Sequence, residues 1–184
     1  KTRNLVRKSL KQRFEYVIDD SDEAWEFLHA THVENMSAIG GSPKPKTHFE
    51  ALRTEIPKER RKLTVAMLGK ERVAALLLLM FNQTVEYVTP VIKVEHRSAQ
   101  PLSFLIWQGM LDACHNGYRY WNWGGTWTSQ MSLYRFKSRW GAVDYPYSYL
   151  ISARERGIKK LSANKSALSE LFPYYYAFPY GRLK

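Results

Sequence analysis

Between Lys62 and Val94 the chain carries three strand-like runs joined by links too short for anything but hairpin turns. The runs are Lys62–Leu68, Arg72–Phe81 and Thr84–Val94, linked by Gly69-Lys70-Glu71 and by Asn82-Gln83. Such short links reverse the chain directly, so the runs are expected to form an antiparallel meander. Ala75–Phe81 is apolar throughout, the pattern of a central strand covered on both faces. A sheet of this kind needs helices on each side.

The flanking sequence supplies them. Lys1–Arg13 reads as a short basic helix with Leu5, Val6 and Leu10 near helical spacing, followed by strand character over Phe14–Asp19. Asp20 to Asp22 offer N-caps to a helix over Asp22–Ser37, whose Ala24, Trp25, Leu28 and Met36 share one face. That helix ends at Gly40-Gly41, and a shorter one, capped by Thr47, closes before Pro57. Pro101–Asn116 has Pro in its first turn, an apolar side through Leu102, Leu105, Ile106 and Met110, and Gly117 as its stop. Arg119–Trp123 is expected as a strand, Ser129–Trp140 as a helix, Val143–Ala153 as a strand and Ser162–Tyr176 as a helix. The order gives an α+β domain around a mixed sheet, with one parallel βαβ step over Thr84–Trp123.

Charge narrows the function classes. Of the net +11, the stretch Arg119–Lys184 contributes +8, from 11 basic and 3 acidic residues, and ten of the twelve tyrosines lie from Tyr118 onward. A basic, aromatic-rich third suits an anionic partner (nucleic acid, a phosphorylated cofactor or precursor, or acidic lipid), or simply a solvated surface over a Tyr-rich core. The single cysteine, Cys114, excludes an internal disulfide and a Cys-rich zinc site, which suits a cytoplasmic protein. Val73–Phe81, the longest apolar run, falls short of the roughly 20 residues a membrane span needs. The chain starts at Lys1 rather than Met, as a trimmed or partial chain would.

Chemistry is best placed in Trp121–Gly141. A strand ends at Gly124-Gly125, where backbone N–H groups can approach a ligand closely, and a helix begins soon after. On the wheel of that helix Lys137 shares its side with Gln130, Leu133, Tyr134 and Trp140, while Arg135 and Arg139 point nearly opposite. Lys137 is then either a partly desolvated charge suited to an oxyanion or phosphate, or a side chain that snorkels past Trp140 to water.

The residues Trp123-Gly124-Gly125, then Leu133-Tyr134-Arg135-Phe136-Lys137 and Trp140-Gly141, resemble the signature of the Fem-type branch of the GNAT acyltransferases. Asn4–Lys8, Arg72–Ala75 and Pro101-Leu102 with Trp107 resemble other parts of that branch, so the likeness runs over nearly the whole chain. It implies a GNAT fold: a mostly antiparallel sheet with one parallel, splayed pair and helices on both faces. The splay would lie between the Thr84–Val94 and Arg119–Trp123 strands. It implies transfer of an acyl or aminoacyl group from an activated ester or thioester to an amine, with a peptidoglycan or other envelope precursor among the acceptors. By motif position Lys137 would be the catalytic lysine and Phe136 would shape its pocket. Trp123, Gly124, Gly125 and Tyr134 would line the substrate site with Glu86 and Tyr87, the candidates for a proton relay.

Two departures qualify the donor. Where the family often has Asp this chain has Asn122, and the loop Glu95–Pro101 lacks the glycines that cradle CoA pyrophosphate. Arg97 and the adjoining helix N-terminus could still hold phosphate, so acyl-CoA, an acyl carrier protein and aminoacyl-tRNA all stay open. No tightly bound cofactor and no metal are expected. His29 and His32 lie three apart on a helix; packing is the favoured reading, with His32 also a candidate on the acceptor side. Cys114 reads as a small packing residue. Residues 1–184 form either one complete GNAT-like domain or the C-terminal half of a tandem protein, cytoplasmic or peripheral to the inner face of the membrane. The rival from another class is a non-catalytic module binding RNA or a lipid-linked precursor in the same basic cleft.

Overall fold

In a computed structural model, residues 2–127 and 129–148 are described, together with 152, 154–164, 168 and 170. The chain forms two compact units, Lys1–Ala142 and Val143–Lys184.

The first unit is built on a five-stranded sheet in the order β1-β2-β3-β4-β5. Its strands are β1 (Phe14–Ile18), β2 (Arg61–Leu68), β3 (Glu71–Phe81), β4 (Thr84–Ile92) and β5 (Tyr120–Asn122). Neighbours pair antiparallel except β4 with β5, which run parallel. The three-strand meander therefore stands as expected, each strand end within two residues of its sequence boundary. Gly69 (φ +61°) and Asn82 (φ +52°) take the left-handed conformations that the two hairpin turns require.

Side-chain alternation splits the core into two layers. Leu76, Leu78 and Met80 of β3 face α4 (Pro101–His115), meeting its Phe104, Leu105 and Ile106. Ala75 and Leu77 face the other way, toward Trp25 and Leu28 of α2 (Asp22–Ser37) and Phe49 of α3 (Lys46–Glu55). The amphipathic helix α1 (Thr2–Leu10) packs on the α4 side and buries Val6 and Ser9. Helices thus cover both faces, and the apolar run of β3 is explained by its place at the centre.

The helix caps follow their chemistry. Ser21 Oγ accepts the Ala24 N–H at 3.2 Å to start α2. For α3 the expected cap, Thr47, is replaced by Pro45, whose φ of −69° sets the chain for the helix starting at Lys46. A Cβ built on Gly109, mid-α4, would lie 3.3 Å from Leu78 Cδ1 and 3.3 Å from Trp121 Cη2. Glycine here lets the helix lie close on β3 and β5. Gly109→Ala should be near neutral, because a helix-propensity gain of up to ~1 kcal/mol offsets the crowding. Gly109→Leu should cost about 1–3 kcal/mol or more through overpacking, read as a lower urea midpoint.

One later expectation fails. Residues 143–148 form no strand, and Val143 and Tyr145 are almost fully exposed. Pro146 lacks the N–H a ladder needs, so the alternation there is a pattern without pairing. α6 (Glu155–Ala163) begins earlier than the expected Ser162–Tyr176 helix; within that range Ser162, Ala163, Leu168 and Glu170 are helical, and most of the rest, with the Tyr174–Tyr176 cluster, lies outside the described residues. Among the described residues no helix is long and apolar enough to cross a membrane.

Candidate active site at the sheet splay

β4 and β5 pair over three residues only: Thr84 with Tyr120, Val85 with Trp121 and Glu86 with Asn122. The reason β5 stops is local. Asn122 Oδ1 accepts the Gly124 N–H at 2.9 Å, closing an Asx-type turn, and Gly124 (φ +68°) turns the chain away from the sheet. β4 continues to Ile92, paired with β3 alone. Its register slips at the same level: Tyr87 faces Leu78 and Thr89 faces Leu77, so Val88 is the extra residue of a bulge. The strands thus part beside a bulge, leaving a wedge open at Tyr87 and Trp123.

Aromatic rings line that wedge. Trp123 is the hub, with ring centroids 5.1 Å from Tyr87, 5.9 Å from Trp121, 5.8 Å from Phe136 and 6.0 Å from Trp140. Phe136 belongs to α5 (Met131–Ser138), which is shorter than the expected Ser129–Trp140. Burial pushes the Tyr87 phenol well above its ordinary pKa, so at neutral pH it is a proton donor and not a base. Glu86 is exposed and, one residue away on β4, takes the opposite face from Tyr87. The two candidates for a relay are therefore not brought together.

Lys137 is 8 % exposed, while Arg135 on the same helix and Arg139 just past its end are open to water. Its Nζ donates to the Gly124 carbonyl at 3.1 Å, the Gly125 carbonyl at 2.9 Å and Thr126 Oγ1 at 2.8 Å. An ammonium has three N–H bonds, and all three are used. Burial lowers the Lys137 pKa from its ordinary value, the direction expected of a desolvated cation. Of the two readings left open by the wheel, the inward one holds, but the cation meets backbone oxygens of its own chain. Tyr134, expected beside it, is 41 % exposed.

The remaining candidates lie elsewhere. Arg97 is exposed on a 3₁₀ turn, Val94–Ala99, that leads into α4. There Gln100 (φ +66°) adopts the conformation a glycine would otherwise supply, held by its Nε2 bond to the Arg97 carbonyl at 2.8 Å. His32 accepts the Lys44 N–H at 3.0 Å and sits edge-on to Phe49 at 5.3 Å, in the layer on the opposite face of the sheet from Trp123. Burial first, then the neighbouring His29, His48 and Lys44, lower its pKa, so it is a neutral packing group. Cys114 is exposed, not buried as expected, because it falls on the outer side of the last turn of α4. Glu71, Glu95 and His96 bring possible ligand atoms within 4.8 Å of one another, but Lys93 already pairs with Glu71 at 2.6 Å. Thr126 is the site residue that sequence reasoning missed; its place after the glycine pair and before Trp127 was the available signal.

Comparison with known proteins follows the same outline. Residues 1–138 match the family described as "Acetyltransferase (GNAT) domain". Among solved structures, FemX superposes with a TM-score of 0.69 at 14 % identity, over 76 % of this chain and 53 % of FemX. The chain thus spans about half the length of FemX. A GNAT-family acetyltransferase from Staphylococcus aureus Mu50 gives a TM-score of 0.58 at 12 % identity, covering 77 % of this chain and 94 % of that one. A ribosomal-protein-alanine N-acetyltransferase from Brucella melitensis biovar Abortus 2308 gives 0.55 at 11 %, over 77 % and 99 %. At such identities these structures speak for the fold alone, and no curated protein matches the chain in sequence. The sheet parted beside a bulge, the helices on both faces and the match over three quarters of the length agree, and the chain belongs to the GNAT family of acyltransferases.

Proposed function

We propose that this acyltransferase moves an acyl or aminoacyl group from an activated ester or thioester to an amine, in the manner of the Fem-type branch. The observation that carries the reading is the parting of β4 and β5 at Glu86 and Asn122, with the Lys137-bound loop at its mouth. A donor carbonyl entering the wedge meets an amine there; a C–N bond forms, the carbonyl oxygen takes negative charge, and collapse breaks the C–O or C–S bond. Tyr87, protonated at neutral pH, suits delivery of a proton to the leaving group, and the exposed Glu86 suits removal of the amine proton through water. Trp123, Phe136 and Tyr134 frame the substrate, while Gly124 and Gly125 offer close backbone approach.

The Fem-type assignment rests on the Trp123–Gly141 motif. With no glycine between Val94 and Gln100, the turn before α4 favours a donor held on tRNA or a carrier protein over free acyl-CoA, with Arg97 as a phosphate contact. An envelope-precursor amine fits as acceptor, which would put the reaction in the cytoplasm or at the inner membrane face. The test is transfer by the full chain to a lysine-containing peptide from alanyl-tRNA, an acylated carrier protein or acetyl-CoA. The reading expects a new amide, formed fastest from a macromolecular donor. Salt-dependent RNA binding without transfer from any donor would instead mark a binding module.

A further inference from the structure

In a trans peptide the C=O and N–H of one unit point in opposite directions, and every peptide bond in the described chain is trans. The Gly124 carbonyl shares its unit with the Gly125 N–H, and the Gly125 carbonyl shares its unit with the Thr126 N–H. Both carbonyls are drawn onto Lys137 Nζ, at 3.1 and 2.9 Å. Both N–H groups are therefore turned away from the ammonium toward the outer side of the loop. Neighbouring N–H groups already have partners: Gly124 donates to Asn122 Oδ1 and Trp127 donates to Gln130 Oε1. Among the described residues the Gly125 and Thr126 N–H groups have none. Two successive free N–H donors beside a left-handed Gly124 form the kind of concavity that binds anions. The buried cation behind them polarises both peptide units in the same sense.

We infer that Lys137 is a clasp, with Thr126 as its third anchor, that presents the Gly125 and Thr126 N–H groups as a paired site for an anionic oxygen. The ligand class is a phosphate or carboxylate oxygen of the substrates, or the oxyanion formed during transfer. Lys137 and Thr126 are then positioning residues: the ammonium, with all its hydrogens committed, does not touch the anion. The inference depends on loop geometry and not on the donor. Its test involves no turnover, so its failure leaves the acyl-transfer reading standing.

The ¹⁵N-labelled full chain is titrated with inorganic phosphate and, separately, acetate, while amide resonances are followed. Saturable downfield shifts of Gly125 and Thr126 are expected, and the stronger of the two anions identifies the oxygen's source. Thr126→Val, which removes one anchor and leaves the charge, should weaken binding by about three- to tenfold; Lys137→Met should abolish it. Tighter binding by Thr126→Val would overturn the inference, because that is the result of freeing an N–H on an ammonium that binds the anion itself. Amides of Gly125 and Thr126 that do not respond to either anion would overturn it as well, and Thr126→Val keeps the test open should Lys137→Met fail to fold.

Discussion

Asp20→Ala should destabilise the fold by about 3–5 kcal/mol, the cost of leaving a buried cation without its partner. Arg61 opens β2 with its side chain only 4 % exposed, and both Asp20 carboxylate oxygens accept from its Nη2 at 3.1 Å. The same carboxylate accepts a hydrogen bond from the Trp25 Nε1–H at 2.9 Å, and Arg61 lies over the Trp25 ring at 5.7 Å. One acid therefore ties the first residue of β2 to the first turn of α2. Lys58, at 3.4 Å but 81 % exposed, adds little. Urea denaturation of the two proteins checks the value.

The same site sets the acid limit. Burial pushes the Asp20 pKa up, but the Trp25 hydrogen bond, Arg61 and Lys58 outweigh it and hold the carboxyl below its ordinary range. Asp19 is lowered likewise, burial being opposed by Ser21 and by Arg72 at 3.0 Å. A carboxyl with a depressed folded pKa adds stability above its unfolded pKa, and that stability is lost as pH falls through the folded value. The loss should therefore begin near pH 4, where free aspartate titrates. Asp20→Ala should flatten it.

Much of this frame could be read from residue order. α2 matches its expected limits, and α4 ends one residue early, because Ser21, Pro101 and Gly117 are local signals that need no partner. The meander was legible because its links leave only one topology. Less of the site was legible. The helical wheel told which way Lys137 faces, but its partners at Gly124, Gly125 and Thr126 lie 11 to 13 residues back, across a turn made by Asn122. Tyr134, on the same side of the wheel in α5 (Met131–Ser138), is exposed. Residues 143–148 show the converse error, since alternation predicts a strand only where a ladder partner exists, and Pro146 removes one donor.

The second large effect falls on Lys137. If the loop it holds supplies the donors for the developing oxyanion, releasing the loop should cost about 10²–10³ in turnover, the range for loss of an oxyanion-hole donor. Folding should change little. α5 is short, the Gly124–Thr126 loop is accessible enough for water to satisfy the freed carbonyls, and the buried residues of β2, β3 and α4 make no use of Lys137. Asp20→Ala and Lys137→Ala thus form a contrasting pair: the first should lower stability with per-molecule activity kept while folded, and the second should do the reverse.

The most direct measurement is the initial rate of amide formation by the intact protein and by Lys137→Ala, with thermal melting followed on the same samples. A rate lower by at least about a hundredfold at a nearly unchanged melting temperature is the predicted result. Equal rates in the two proteins would contradict the account, because the loop at the mouth of the splay would then have no part in the chemistry.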